Sequence, residues 1–109
     1  MNSAEKLLDI CADENINVQK VSTKQLNEFT ESFVGGGIAF KMSNQKYILL
    51  DEQMEFFEKL LVLAHETAHH IFGHLDKDEV TKQMEDEARL FSVVYMALTI
   101  FNTREVEKK

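Results

Sequence analysis

The spacing of apolar and polar positions changes period along the chain, and each change marks an element. Leu7, Leu8, Ile10 and Cys11 recur at helical spacing and predict a first helix over residues 3–14. Asn2 and Glu5 stand at the spacing of a capping box at its start. Ile16, Val18 and Val21 predict a short strand, and Ser22 with Gln25 can open a short helix carrying Leu26, Phe29 and Phe33. Gly35, Gly36 and Gly37 accept positive backbone angles and end whatever precedes them. Two β-prone runs, Ile38 to Met42 and Tyr47 to Leu50, flank the polar loop Ser43 to Lys46 and predict a hairpin. From about Gln53 the period is helical again. Phe57, Leu61, Ala64, Ala68 and Ile71 form one stripe, with Gly73 as the stop. After the polar segment Asp76 to Glu79, a last helix runs from about Glu79 to Phe101 on the stripe Met84, Ala88, Phe91, Tyr95 and Leu98. The charged tail from Arg104 to Lys109 is predicted to fray. This order of elements predicts an α+β domain, a small antiparallel sheet packed on a helical layer.

Composition narrows the class. A chain of 109 residues suits one domain, taken here as 1–109, and its eight Phe supply enough apolar surface to offset ordering entropy. The net charge of −7, with Lys and Arg scattered, argues against direct binding of nucleic acid, which needs a clustered basic face. Cys11 is the only cysteine, so no disulfide can form within one chain, and it reads as a small buried apolar residue in a reducing compartment. No apolar run approaches a membrane span, and the N-terminus lacks a basic segment followed by an apolar one. The expectation is a cytoplasmic protein that does not engage a membrane.

The run His65-Glu66-Thr67-Ala68-His69 falls on the long helix and matches H-E-x-x-H. Residues four apart share a helix face, so two imidazoles at that spacing can converge on one metal. Glu66 is rotated off that axis and can reach the attacking water as a general base. A hydrolytic zinc site takes three protein ligands, so one more is needed. His74 misses the register of H-E-x-x-H-x-x-G-x-x-H, because Phe72 and Leu75 occupy the positions that pattern gives to Gly and His. Glu85 on the last helix, at the edge of the stripe beside Met84 and Ala88, is the better candidate, with Glu87 as the alternative. Ala64, Ala68 and Ala88 would let the two helices approach closely, although helix propensity alone accounts for them equally well.

His65-Glu66-x-x-His69, followed by Glu85-x-Glu87-Ala88-x-x-Phe91, resembles the ImmA/IrrE family of zinc metallopeptidases over roughly residues 38–98. The resemblance implies a gluzincin-like (zincin) core with the H-E-x-x-H motif on a long central helix. It implies zinc (Zn2+) as cofactor, held by His65, His69 and Glu85, with Glu66 catalytic. It also implies hydrolysis of a peptide bond in a protein substrate, such as a helix-turn-helix repressor of a mobile element. Two departures stand out. Arg89 follows Ala88 where the family has Asn or Asp, and Tyr95-Met96-Ala97-Leu98 replaces a Leu-Met-Pro run. These departures carry a second reading, a catalytically inactive, zinc-containing protein-interaction module.

Several nearby residues have ordinary readings. His70 projects about 100° from His69 and is read as a solvent-facing residue, or else a rim donor to an oxyanion. Tyr47 and Tyr95 are potential oxyanion donors, with core packing favoured. Tyr47 to Leu50 would accept an extended peptide if it were an edge strand, with ordinary sheet packing favoured. Gly35 to Gly37 is read as a flap or a tight turn.

Overall fold

The computed structural model describes residues 3–29, 36–77 and 79–107. The elements are α1 (Ser3–Asp13), β1 (Ile16–Val21), α2 (Thr23–Phe29), β2 (Gly37–Met42), β3 (Gln45–Asp51), α3 (Phe56–Ile71), a 3-10 turn at His74–Asp76, and α4 (Lys82–Glu107). The α+β class expected from the sequence is the one observed. Asn2, the proposed cap of α1, Phe33 and Gly35, the first of the glycine triplet, lie outside the described residues, as does the side chain of Phe29.

Local chemistry sets the boundaries. Asn15, at φ 58°, turns the chain out of α1 into β1. α2 opens on a capping box: the Gln25 N–H donates to the Ser22 hydroxyl at 3.1 Å, and the Ser22 N–H donates to the Gln25 side-chain carbonyl at 3.0 Å. α4 starts at Lys82 rather than Glu79, because the Thr81 hydroxyl accepts the Met84 N–H at 3.2 Å and fixes the cap there. The helix then continues to Glu107, into the tail predicted to fray, whose last two residues lie outside the described ones.

The hairpin loop is two residues, not four. Ser43 and Asn44 have φ of 52° and 64°, the double left-handed geometry of a type I′ turn, so Gln45 and Lys46 already belong to β3. The sheet is mixed, where the sequence suggested a wholly antiparallel one. Its order is β1-β3-β2, with β1 parallel and β2 antiparallel to β3. The connection through α2 is the reason. β1 ends, at Val21, and β2 begins, at Gly37, at one end of the sheet, opposite Asp51 and Leu50 of β3. The hairpin then returns β3 between them, running with β1. Asp51 pins this corner: its carboxylate accepts the Thr23 hydroxyl at 2.8 Å and the Gln53 N–H at 2.9 Å, while its own N–H donates to the Gly36 carbonyl at 2.8 Å.

The core joins Leu7 and Cys11 of α1, Ile16 of β1, Ile48 and Leu50 of β3, and Leu60, Leu63 and Ala64 of α3. Cys11 is buried, and its sulfur lies 3.3 Å from the Thr67 hydroxyl. Burial pushes its thiol pKa up, which suits an unreactive packing residue. α3 is covered on one side by the sheet and α1 and on another by α4. A helix packed on two sides has no single apolar stripe, and this shifts the predicted one. Ala64 and Ala68 are buried as expected, together with Leu60, Leu63 and Thr67. Phe57, Leu61 and Ile71 are exposed along the rim. On α4, Ala88 and Ser92 are buried and Phe91 and Tyr95 pack on the core. Leu98 is exposed, because a 26-residue helix outruns its 16-residue partner. Among the described residues, no helix is long and apolar enough to cross a membrane.

Candidate metal centre

α3 and α4 build the site between them. Ala64, Ala68 and Ala88 are each fully buried, so the helices meet with no side chain beyond a methyl group at those positions. At about 100° per residue, Met84, Ala88, Phe91 and Tyr95 define the inward face of α4, and Glu85 and Glu87 sit roughly 80° to either side of it. Each therefore reaches α3 from its own flank, and the two cannot meet at one point.

Glu85 reaches the motif histidines. Its carboxylate oxygens stand 3.1 Å from His65 Nε2 and 3.0 Å from His69 Nε2, and the two Nε2 atoms are 3.2 Å apart. Oε2 makes the contact to His65 and Oε1 the contact to His69. The carboxylate thus spans the two imidazoles, and all three groups face a common space. Donors held at about 2.0–2.1 Å in a tetrahedral site stand roughly 3.3 Å from one another. Two nitrogens and one oxygen, all within 4.8 Å of each other, are close enough to converge on a single divalent cation. His69 is buried while His65 is half-buried, which leaves one side of the cluster open. Burial holds the His69 pKa below the usual imidazole value; Glu85 opposes that shift, and the neighbouring His65 and His74 add to it.

A cleft of about 630 Å³ opens on that side. His65, Glu66 and Glu85 line it, with Gly37 of β2, Leu61 and Val62 of α3, and Arg89, Ser92 and Val93 of α4. Glu66 faces the cleft, and its carboxylate accepts the N–H of Ala39 on β2. Its pKa is pushed up to about 8, first by burial and then by the charge of Glu85, with the Ala39 hydrogen bond opposing both. β2 is the edge strand beside the site, and β3 is central, so Tyr47 to Leu50 takes the ordinary packing role. Gly37 is required here: a Cβ would come within 2.5 Å of Val62 Cγ1.

The remaining sequence candidates find other places. His70 does not face solvent: it is buried and its Nε2–H donates to the Tyr47 carbonyl at 2.8 Å, tying α3 to β3. The helix is covered by the sheet on that side, which the 100° offset alone could not reveal. Burial lowers the His70 pKa. Tyr47 stacks on Phe40 at 5.1 Å and Tyr95 on Phe91 at 6.2 Å, so both pack as the sequence favoured. Glu87 pairs with His74 at 3.2 Å rather than joining His65 and His69.

His74 is the residue the sequence undervalued. Gly73, at φ 71°, ends α3 in the left-handed conformation and turns the chain back, so that buried His74 lies with Nδ1 3.0 Å from His69 Nδ1. A glycine just past the helix end, followed at once by histidine, was the available signal. Gly73→Ala has room for its methyl group, since the nearest atom would be Asp76 Oδ2 at 3.5 Å, so its cost is backbone strain. The expected loss is about 1 kcal/mol, which thermal melting should read as a fall in Tm of about 4–8 °C.

An α+β fold that presents H-E-x-x-H and a glutamate from a second helix around one point defines a metallopeptidase-type domain. The chain belongs to the Peptidase_M78 family, the IrrE N-terminal-like domain, whose family model matches residues 11–108. No curated protein and no solved structure matches it.

Proposed function

We propose that this chain is a zinc-dependent metalloendopeptidase that hydrolyses a peptide bond of a protein substrate. The observation that carries the reading is the convergence of Glu85 with His65 and His69 at the mouth of a cleft that Glu66 also lines. Two imidazoles and one carboxylate are a donor set suited to zinc, and three protein donors leave room for a reacting group. Zinc bound there would polarise a carbonyl and acidify water.

The protein's own residues supply the rest. Glu66 takes the proton of the attacking water and delivers it to the leaving amine. Its environment raises its basicity toward neutrality, as a general base requires, and neutralisation of the Glu85 charge by a bound cation favours its ionised form. His65 and His69 act as neutral ligands, consistent with the lowered pKa of His69. The hydrophobic walls Leu61, Val62 and Val93 exclude water around a bound segment.

The substrate implied by the family resemblance is a helix-turn-helix repressor of a mobile element, met in the cytoplasm without direct contact to DNA. The test is incubation of the zinc-loaded protein with such repressors, with Glu66→Gln as control. Cleavage by wild type alone supports the reading. Zinc binding without cleavage of any candidate supports the second reading, a zinc-containing interaction module, which Arg89 favours by placing an exposed cation in the cleft where the family carries Asn or Asp.

A further inference from the structure

Behind the candidate metal centre lies a second row of polar groups that the hydrolytic reading does not use. His69 Nδ1, on the ring edge away from Glu85, stands 3.0 Å from His74 Nδ1. The other nitrogen of His74, Nε2, stands 3.2 Å from a Glu87 carboxylate oxygen. His69 and His74 are both buried, and Glu87 is the exposed end of the row. Three elements contribute one residue each: α3, the 3-10 turn after Gly73, and α4.

Only one proton order satisfies this row when His69 holds a metal through Nε2. That nitrogen then carries no proton, so Nδ1 must carry it. The His69 Nδ1–H donates to His74 Nδ1, which must be bare. The remaining His74 proton therefore sits on Nε2 and donates to Glu87, an acceptor when ionised. In the reverse order, with His74 Nδ1 donating, His69 would be protonated at Nε2 and unable to ligate.

We propose that His74 and Glu87 are positioning residues that lock His69 into its metal-binding tautomer through a histidine-to-histidine relay. Metal-bound imidazoles generally donate their second N–H to a carboxylate, carbonyl or water. Here a second imidazole is interposed, and the charge of Glu87 reaches His69 through it. The relay also gives the two glutamates of the Glu85-x-Glu87 pair separate tasks on opposite flanks of α4, one facing the metal position and one facing His74. The proposal rests on the zinc reading of the preceding subsection, and its test separates the two.

The test is zinc affinity, measured on the full chain by competition with a chromophoric chelator. His74→Phe keeps a ring but removes the acceptor, and should weaken zinc binding about 10–100-fold. His74→Asn can place its side-chain oxygen near the position of Nδ1, and should restore binding to within a few-fold of wild type. Glu87→Gln should weaken binding several-fold in wild type and have no effect in the His74→Phe background, because the link it acts through is gone. Wild-type protein bypasses any folding defect: in the zinc-loaded state, nitrogen-proton correlation NMR should show His69 protonated at Nδ1 and His74 at Nε2. Zinc binding by wild type with no loss in His74→Phe, or a His74 proton on Nδ1, overturns the relay and leaves the zinc site standing. Failure of wild type to bind zinc overturns both.

Discussion

Glu85→Ala is expected to abolish zinc binding at stoichiometric concentrations while leaving the fold intact. Glu85 is the only carboxylate that reaches both His65 and His69 among the described residues, at 3.1 and 3.0 Å. Without it two imidazoles remain, at adjacent turns of one helix, and a hydrolytic zinc site normally has three protein ligands. Glu87 cannot substitute, because it lies on the other flank of α4 and is engaged by His74. The loss in affinity should exceed the roughly 100-fold that removal of an outer partner costs. The metal-free variant should melt no lower than metal-free wild type, since Glu85 is half-exposed and its charge disfavours ionisation of Glu66. Titration with zinc followed by thermal melting checks both parts: wild type should gain stability with zinc and Glu85→Ala should not. Equal gains in the two proteins would remove Glu85 from the site.

Glu66→Gln carries the second large effect, and its sign differs between activity and stability. Loss of the general base should lower kcat/KM about 10²–10⁴-fold with zinc still bound. In the chelated protein the same change should stabilise the fold at high pH. Glu66 has a folded pKa of about 8, raised from an ordinary 4.5, with Glu85 and the Ala39 N–H as the groups facing it. A raised carboxyl pKa means that its stabilising contribution is full below the unfolded value and is lost as pH rises through the folded one. Above pH 8, wild type therefore holds a half-buried charge that glutamine lacks. After a discount for solvent access, that difference is roughly 2 kcal/mol, or about 10 °C in Tm. Near pH 5 both side chains are neutral amide or acid of similar shape, and the two melting points should converge. Melting curves of the chelated proteins at pH 5 and pH 9 decide the matter, and a Glu66→Gln protein less stable than wild type at pH 9 would contradict the environment described for Glu66.

What the sequence disclosed of this site is what depends on helix periodicity. His65 and His69 had to share a face of α3, and Glu85 had to flank the inward stripe of α4, because both follow from 3.6 residues per turn. Capping by Ser22 and Gln25, and the stop at Gly73, were legible for the same local reason. The parallel pairing of β1 with β3 was not, because strand direction is set by which ends the α2 connection joins and not by any pattern within the strands. Nor was the burial of His70, which depends on the carbonyl of Tyr47 arriving from a distant strand. His74 was hidden because it lies outside the helix that gives the motif its period. Its return to His69 is made by a single left-handed residue, Gly73, so the register of the longer motif could exclude it as a third ligand without showing what it touches instead.

The zinc site can be read from the zinc content of the purified protein, measured by elemental mass spectrometry before chelation, after chelation and after zinc is returned. Wild type should carry close to one zinc per chain, lose it on chelation and regain it on addition, with none retained by Glu85→Ala. A wild-type chain that carries no zinc and takes none up would contradict the zinc site.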